Sequence, residues 1–473
     1  MNKKNVHAFK DDALGKYDGV ALAELIKKRE IQPLELVKAS IERADIVNPN
    51  LNAIVTKNYE KALEKANNTQ NGFFEGIPTF FKDLTYIEGF PTYFGTEALE
   101  NAPLAQKTDA IVKQILDQGF IHLGNSTLPE FGFTCSTEMP HQKDTTNPWN
   151  IEHSCGGSSG GAAALVAAGV VPIAHSADGG GSTRIPASCC GLVGLKATRG
   201  RILPSDLFKQ QIVEVAIDGV ITRTVRDTAY FYAEAEKYYK NPKLKPIGLV
   251  ERASDKKYKI GFTNNSIKGM KGGAKTEKVL RDTAKLLEDM GHHVKEVDVT
   301  VSDQFFDDFI GLWQLLSFAT KHFGKFILGK HFDKSKMTTF VNGLAAGFPK
   351  NIFKTPFFIY RLKKSYYEYQ NMLKEMDVDI ILTPTMAHIT PKIGYLGADV
   401  PFEDFFDRMT KWATFTPYAN ACGAPAISLP LGHDEENNLP IGMMFWANHG
   451  EESILLDLSY QLEAAKPWKK IYE

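Results

Sequence analysis

Three places in this chain hold side chains that could together break a covalent bond. The first is Lys82, which follows the apolar run Ile77-Pro78-Thr79-Phe80-Phe81. The second is Gly156-Gly157-Ser158-Ser159-Gly160-Gly161, and the third is Asp178-Gly179-Gly180-Gly181-Ser182 with Arg184 close behind. A serine hydroxyl is a weak nucleophile until a base takes its proton, and a lysine can be that base only while neutral. Consecutive glycines cost backbone entropy. Two clusters of them around an apolar, small-residue segment therefore point to a close backbone approach to a ligand or to tightly bent turns.

Several motifs compete for these residues. Gly157 to Gly161 satisfies G-x-S-x-G, the nucleophile elbow, with His433 or His449 as the later histidine. An elbow must follow a strand, however, and Asn147 to Cys155 reads as polar and broken by proline, so this match is weak. A phosphate loop needs a lysine directly after its last glycine, and none stands there. Ser254-Asp255-Lys256-Lys257 matches S-x-x-K but lies in a charged connection. A lone lysine in an apolar run is more often snorkelling or ion-paired, and Asp83 adjoins Lys82. Only the company of the serines makes a catalytic amine the better reading.

Taken together, these stretches resemble the amidase signature family. The resemblance rests on Gly76-Ile77-Pro78 leading to Lys82-Asp83, on the two glycine-serine clusters, and on Arg184 and Pro186 after the second. The sequence distance from Ser158 to Ser182 also agrees. Further pieces extend the match over nearly the whole chain: Asn125 to Phe131, Asn147-Pro148-Trp149, Gly191 to Arg201, Val378 to Pro384, Asn420 to Pro430 and Leu439 to Gly442.

The resemblance implies an α/β fold, an α/β/α sandwich with a central twisted mixed β-sheet surrounded by helices. It also implies a Ser–cis-Ser–Lys triad, with Ser182 as nucleophile, Ser158 as proton relay on a cis peptide bond and Lys82 as base. To be neutral at pH 7, Lys82 needs its pKa lowered by about 3 units, which burial can supply. Backbone N–H groups of Gly179, Gly180, Gly181 and Ser182 would form the oxyanion hole. Asp178 and Arg184 would anchor the loop, and Ser159 would cap the helix that starts at Gly160. His175 is expected to satisfy a local hydrogen bond rather than take part in the chemistry.

No cofactor or metal is expected. Within the family, the chain is most similar to the 6-aminohexanoate cyclic dimer hydrolase branch. The expected activity is hydrolysis of a C–N bond in a small, largely apolar amide, linear or cyclic, through an acyl-enzyme. The alternative is a glutamine-dependent aminoacyl-tRNA amidotransferase A-type subunit. Against it, Ile185 stands where those subunits usually carry glutamine, and Lys364-Ser365-Tyr366-Tyr367-Glu368-Tyr369 replaces their tyrosine-rich segment.

The elements that must position these residues follow from periodicity. Apolar residues recur at helical spacing in Gly19 to Arg29 and Leu34 to Ala44, with Pro33 starting the second helix, and another helix covers Tyr59 to Asn67. Strands are expected at Ile77 to Leu84, Phe120 to Leu123, Lys259 to Phe262, His293 to Val299, Ile380 to Thr383, Ala426 to Leu429 and Ile441 to Trp446. Helices are expected at Asp109 to Gly119, Lys275 to Met290 and Ile454 to Ala464. Gly194 to Arg201 and Asp218 to Asp227 read as loop-rich. The expected organisation is one domain over 1–473, with a helical lead-in over 1–70 and an aromatic-rich helical insertion over 303–376 that covers the substrate.

Fifty-five basic residues against 56 acidic ones leave no overall field for a nucleic acid. There is no signal-peptide-like start and no apolar run long enough to span a bilayer, so neither nucleic acid nor membrane is an expected partner. An odd number of cysteines, 5, two of them adjacent, suits reduced thiols and a cytoplasmic location. The partner is a small-molecule amide, and a homodimer stays open as the assembly.

Overall fold

Short, β-branched and aromatic segments buried on both faces make the frame on which the site is built. The computed structural model describes residues 5–68, 71–140, 142–267, 269–299, 301–302 and 304–473. Residues 1–4 and 69–70 of the expected lead-in, and position 303 at the head of the expected insertion, lie outside the described residues.

Strands Ile54–Lys57 (β1), Pro78–Lys82 (β2) and Ile121–Ser126 (β3) form a small sheet in the order β1-β3-β2, with β2 parallel and β1 antiparallel to β3. Thr146–Asn147 (β4) and Asn150–Ser154 (β5) pair as a two-stranded ribbon. The main sheet holds Ile173–Asp178 (β6), Val193–Lys196 (β7), Ile217–Thr222 (β8), Lys259–Phe262 (β9), His293–Glu296 (β10), Ile380–Pro384 (β11), Ala426–Asp434 (β12) and Leu439–Ala447 (β13). Its order is β10-β9-β11-β13-β12-β7-β8-β6, parallel among β10, β9 and β11 and antiparallel elsewhere. With helices around it, this is the expected mixed α/β sandwich.

Side chains rather than a backbone ladder tie the two sheets together along β2 and β6. Thr79 Oγ1 donates to the Ile173 carbonyl at 2.9 Å, and the Lys82 N–H donates to His175 Nδ1 at 3.2 Å. Strand alternation sends Phe80 and Phe81 into different cores, Phe80 among residues of the small-residue helix Gly160–Ala167 and Phe81 among Leu36, Ile111 and Phe120. Every residue of Gly160–Ala167 is buried. A Cβ on Gly161 would lie 2.4 Å from Thr127 Oγ1, so only glycine lets this helix approach the neighbouring loop so closely.

Three expectations change here. Asp218 to Asp227 is not loop-rich, because it holds most of β8 and the start of the helix Val225–Tyr238, while Gly194 to Arg201 opens on the end of β7 before its loop. The strands' small and polar residues are buried within a sheet covered on both sides, where alternation is lost. Asn147 to Cys155 does contain a strand, β5, so the stated ground for rejecting the elbow does not hold, although β5 belongs to the ribbon rather than to either larger sheet. The second helix also runs further than expected, Pro33–Leu51, and carries Pro49 within it.

Helices Phe305–Ile327, Thr339–Gly347 and Thr355–Met376 pack on one another over one side of the main sheet. Arg361 pairs with Asp308 through two contacts of 2.6 Å, and Ser317 Oγ donates to the Val341 carbonyl at 2.7 Å. Among the described residues, no helix is long and apolar enough to cross a membrane.

Candidate active site

The three stretches singled out by residue type converge at the β2–β6 seam. Lys82 ends β2 and is 1% exposed. Its Nζ lies 2.7 Å from Ser158 Oγ, 3.0 Å from Ser159 Oγ and 3.4 Å from the Ala177 carbonyl. The Gly157–Ser158 peptide bond is cis. Asp83 does not pair with Lys82. It faces the other way and accepts from Asn125 Nδ2 and from the Tyr93 N–H, both at 3.1 Å.

Burial pulls the Lys82 amine down to about 7, and the carboxylates of Asp178 and Asp218 work against that shift without cancelling it. The three contacts match what a neutral amine can make. Ser159 Oγ–H donates to the Ala177 carbonyl at 3.2 Å, so the Ser159 oxygen is left to accept from Lys82. A neutral amine can give its two N–H groups to Ser159 Oγ and the Ala177 carbonyl and turn its lone pair to the Ser158 hydroxyl, whereas the charged form would donate to all three oxygens.

Ser159 therefore departs from its expected role. It makes no side-chain cap on the helix Gly160–Ala167, because its hydroxyl is taken by Lys82 and by both backbone groups of Ala177. Its own N–H donates to the Ser182 carbonyl at 3.2 Å, which joins the two glycine clusters directly.

The second cluster is braced by a buried ion pair. Asp178 accepts from Arg184 Nε and Nη2, each at 2.9 Å, from Asn420 Nδ2 at 2.9 Å and from the Gly181 N–H at 2.7 Å. Burial alone would push this carboxyl up, but the Arg184 guanidinium holds it well below the usual carboxylate range. Arg184 continues to the Thr416 carbonyl at 3.0 Å and Asn420 Oδ1 at 2.7 Å.

Gly181 is a correction to the expected oxyanion hole. Its N–H is committed to Asp178, and it does not line the cavity, whereas Gly179, Gly180 and Ser182 do. Its φ of +129° and a Cβ position 2.3 Å from Thr416 Oγ1 explain why glycine stands there.

Sequence reasoning gave no role to Asn420, Thr416 or Asp218. Asn420 and Thr416 come from a segment more than 230 residues downstream of Asp178 and Gly180, so only the fold brings them in. Asp218 faces His175 Nε2 at 3.1 Å, while His175 Nδ1 accepts the Lys82 backbone N–H. That fixes the His175 tautomer, with its proton on Nε2, and confirms its local hydrogen-bonding role.

Ser158, Ser182 and Lys82 open onto a cavity of about 370 Å³. The rest of its wall is largely apolar: Phe94, Phe131 and Ile185 on one side, and Phe305, Phe306, Phe309, Trp313 and Leu316 from the helix Phe305–Ile327 on another. Phe318 and Phe323 of the same helix do not line the cavity. Among the described lining residues there is no aspartate, glutamate or arginine, and Lys82 is the one lysine.

A family model described as Amidase matches residues 35–456. Over 477 residues the chain is 41% identical to "Putative amidase AmiC" of Mycobacterium tuberculosis, covering 99% of this chain and 98% of that protein. It is 30% identical over 480 residues to the 6-aminohexanoate-cyclic-dimer hydrolase of Paenarthrobacter ureafaciens, covering 95% of each. A solved structure of 6-aminohexanoate cyclic dimer hydrolase complexed with substrate matches with a TM-score of 0.86 at 27% identity, covering 98% of both chains.

Proposed function

This chain belongs to the amidase family and is a hydrolase acting on amide C–N bonds; on that premise we propose that Ser182 is its nucleophile, Ser158 its proton relay and Lys82 its general base. The observation that carries the reading is the buried Lys82 Nζ, 2.7 Å from Ser158 Oγ and held near neutrality at the floor of an apolar cavity that Ser182 also lines.

Ser182 Oγ attacks the amide carbonyl carbon as its proton passes to Ser158 Oγ, and the Ser158 proton passes to the neutral Lys82 amine. The carbonyl oxygen takes up the negative charge and is held by backbone N–H groups of Gly179, Gly180 and Ser182. Each such donor contributes about 3 kcal/mol to the transition state. The proton then returns through Ser158 to the departing nitrogen, which leaves as an amine and keeps the acyl group on Ser182. Water enters by the same relay and releases the acid. Asp178, Arg184 and Asn420 hold the glycine loop in place for this sequence.

The cavity supports a small, neutral and largely apolar amide, linear or cyclic, as substrate, with the helix Phe305–Ile327 as its cover. Glutamine would bring an ammonium and a carboxylate into a wall that offers them no carboxylate or guanidinium and only the neutral amine of the base, which counts against the amidotransferase reading. The buried, unpaired thiols of Cys135, Cys155, Cys189, Cys190 and Cys422 suit a reducing compartment, and we place the enzyme in the cytoplasm.

Hydroxylamine supplied with a short-chain anilide tests the acyl-enzyme. The isolated chain should form the hydroxamate and release aniline, with no activity toward glutamine. Efficient glutamine hydrolysis, or aniline release with no trapping of the acyl group, would reject the reading.

A further inference from the structure

The helical cover carries large apolar side chains that are exposed. Phe326 is 93% exposed and Phe353 91%, and Phe323, Phe357, Tyr360 and Tyr367 are exposed as well. Phe357, Tyr360, Lys364 and Tyr367 recur at three- and four-residue steps along the helix Thr355–Met376, and Phe353 continues that row into the preceding turn Phe348–Lys354. The opposite face of the helix is buried through Phe358, Leu362, Ser365 and Tyr369.

Charge follows the aromatics. Between Lys321 and Lys364 stand nine lysines and Arg361 against a single acid, Asp333, in a chain whose net charge is −1. Arg361 is tied to Asp308 and Lys364 to Glu368. Among the described residues, no ion pair engages the exposed Lys325, Lys350, Lys354 or Lys363. The balanced total hides this local excess.

We infer that this face docks on an anionic phospholipid surface, the aromatic rings entering the boundary between headgroups and acyl chains while the lysines reach the phosphates. An exposed row of rings interleaved with unpaired lysines, on a helix too polar to cross a bilayer, is the pattern of an element that lies on a membrane. A second copy of the chain is the poorer occupant, because a two-fold contact through this face sets lysines against lysines. The surface adjoins the cavity through the helix Phe305–Ile327, which lines the cavity with Phe309, Trp313 and Ile327 and presents Phe326 outward.

Flotation of the full chain with phosphatidylcholine vesicles, with and without phosphatidylglycerol, tests this independently of any catalytic reading. The chain should float with the anionic vesicles and not with the neutral ones. Replacing Lys350, Lys354 and Lys363 by Gln together should weaken binding about a hundredfold, since each basic residue at such a surface contributes roughly a fivefold factor. Phe353→Ser with Phe357→Ser should weaken it by about tenfold or more. Hydrolysis of a water-soluble amide should stay unchanged in both variants. Equal binding to neutral vesicles, or no binding to either kind, would overturn the inference. So would a dimer in sedimentation that the Phe353→Ser, Phe357→Ser variant dissociates.

Discussion

The floor and the cover of the cavity are built on opposite principles. The floor is polar and almost wholly buried: Lys82, Ser158, Ser159, Asp178 and Arg184 are each at most 2% exposed, and hydrogen bonds hold each of them. The cover is apolar within and exposed without, and it reaches the cavity mainly through one helix. Buried polar networks are stiff and intolerant of a missing member, whereas apolar walls tolerate substitution at the cost of fit. On the proposed mechanism the floor does the chemistry and the cover selects the substrate, so floor variants should move kcat and cover variants KM.

The largest effect expected is Ser182→Ala, which should lower kcat by about 10⁴ or more while leaving the thermal melt in place, since it removes one oxygen from the cavity wall. Lys82→Ala should lower kcat as far, and initial rates check both, with circular-dichroism melts to show that each variant is folded. Next comes a contrast in stability. Arg184→Ala leaves Asp178 buried and unpaired, at a cost of about 3–5 kcal/mol. Arg361→Ala, which breaks a pair whose arginine is 36% exposed in the cover, should cost no more than about 1 kcal/mol. Urea unfolding of the two variants compares them directly, and equal costs would erase the distinction between the regions.

The pH dependence is smaller in scale and has a definite sign. Charged Lys82 cannot accept a proton, so kcat/KM should fall as pH drops through about 7 and level off above it. The same lowered pKa makes Lys82 a burden on folding. The cost is full below the folded-state value near 7 and fades as pH rises toward the ordinary lysine value of 10.5. Lys82→Met should thus unfold at higher urea than the parent in mild acid, with the gap narrowing in alkali. Last, Trp313→Ala in the cover should raise KM for an apolar amide about tenfold and change kcat less than about threefold, the opposite partition to the floor.

The residues of the floor were legible in the sequence because the proposed chemistry needs particular residue types at particular spacings, and Lys82, Ser158 and Ser182 line one cavity in the structure. Two of its details were not. The commitments of Gly181 to Asp178 and of Ser159 to Lys82 and Ala177 depend on which neighbour each N–H or hydroxyl finds first, and local pattern carries no record of that. Asn420 and Thr416 arrive from far along the chain for the same reason. The strands β7 and β8 escaped because residues buried on both faces lose the alternation that marks a strand. The cover was legible as aromatic and helical, yet which rings face the cavity and which face outward follows from how its helices pack.

Covalent labelling tests the central claim most directly. The protein is incubated with a fluorophosphonate, digested, and the modified peptide is sequenced by mass spectrometry. A phosphonyl group on Ser182, formed at a rate that falls below pH 7 and is lost in Lys82→Ala, is the predicted result. A label on Ser158 or Ser159, or undiminished labelling in Lys82→Ala, would contradict the account.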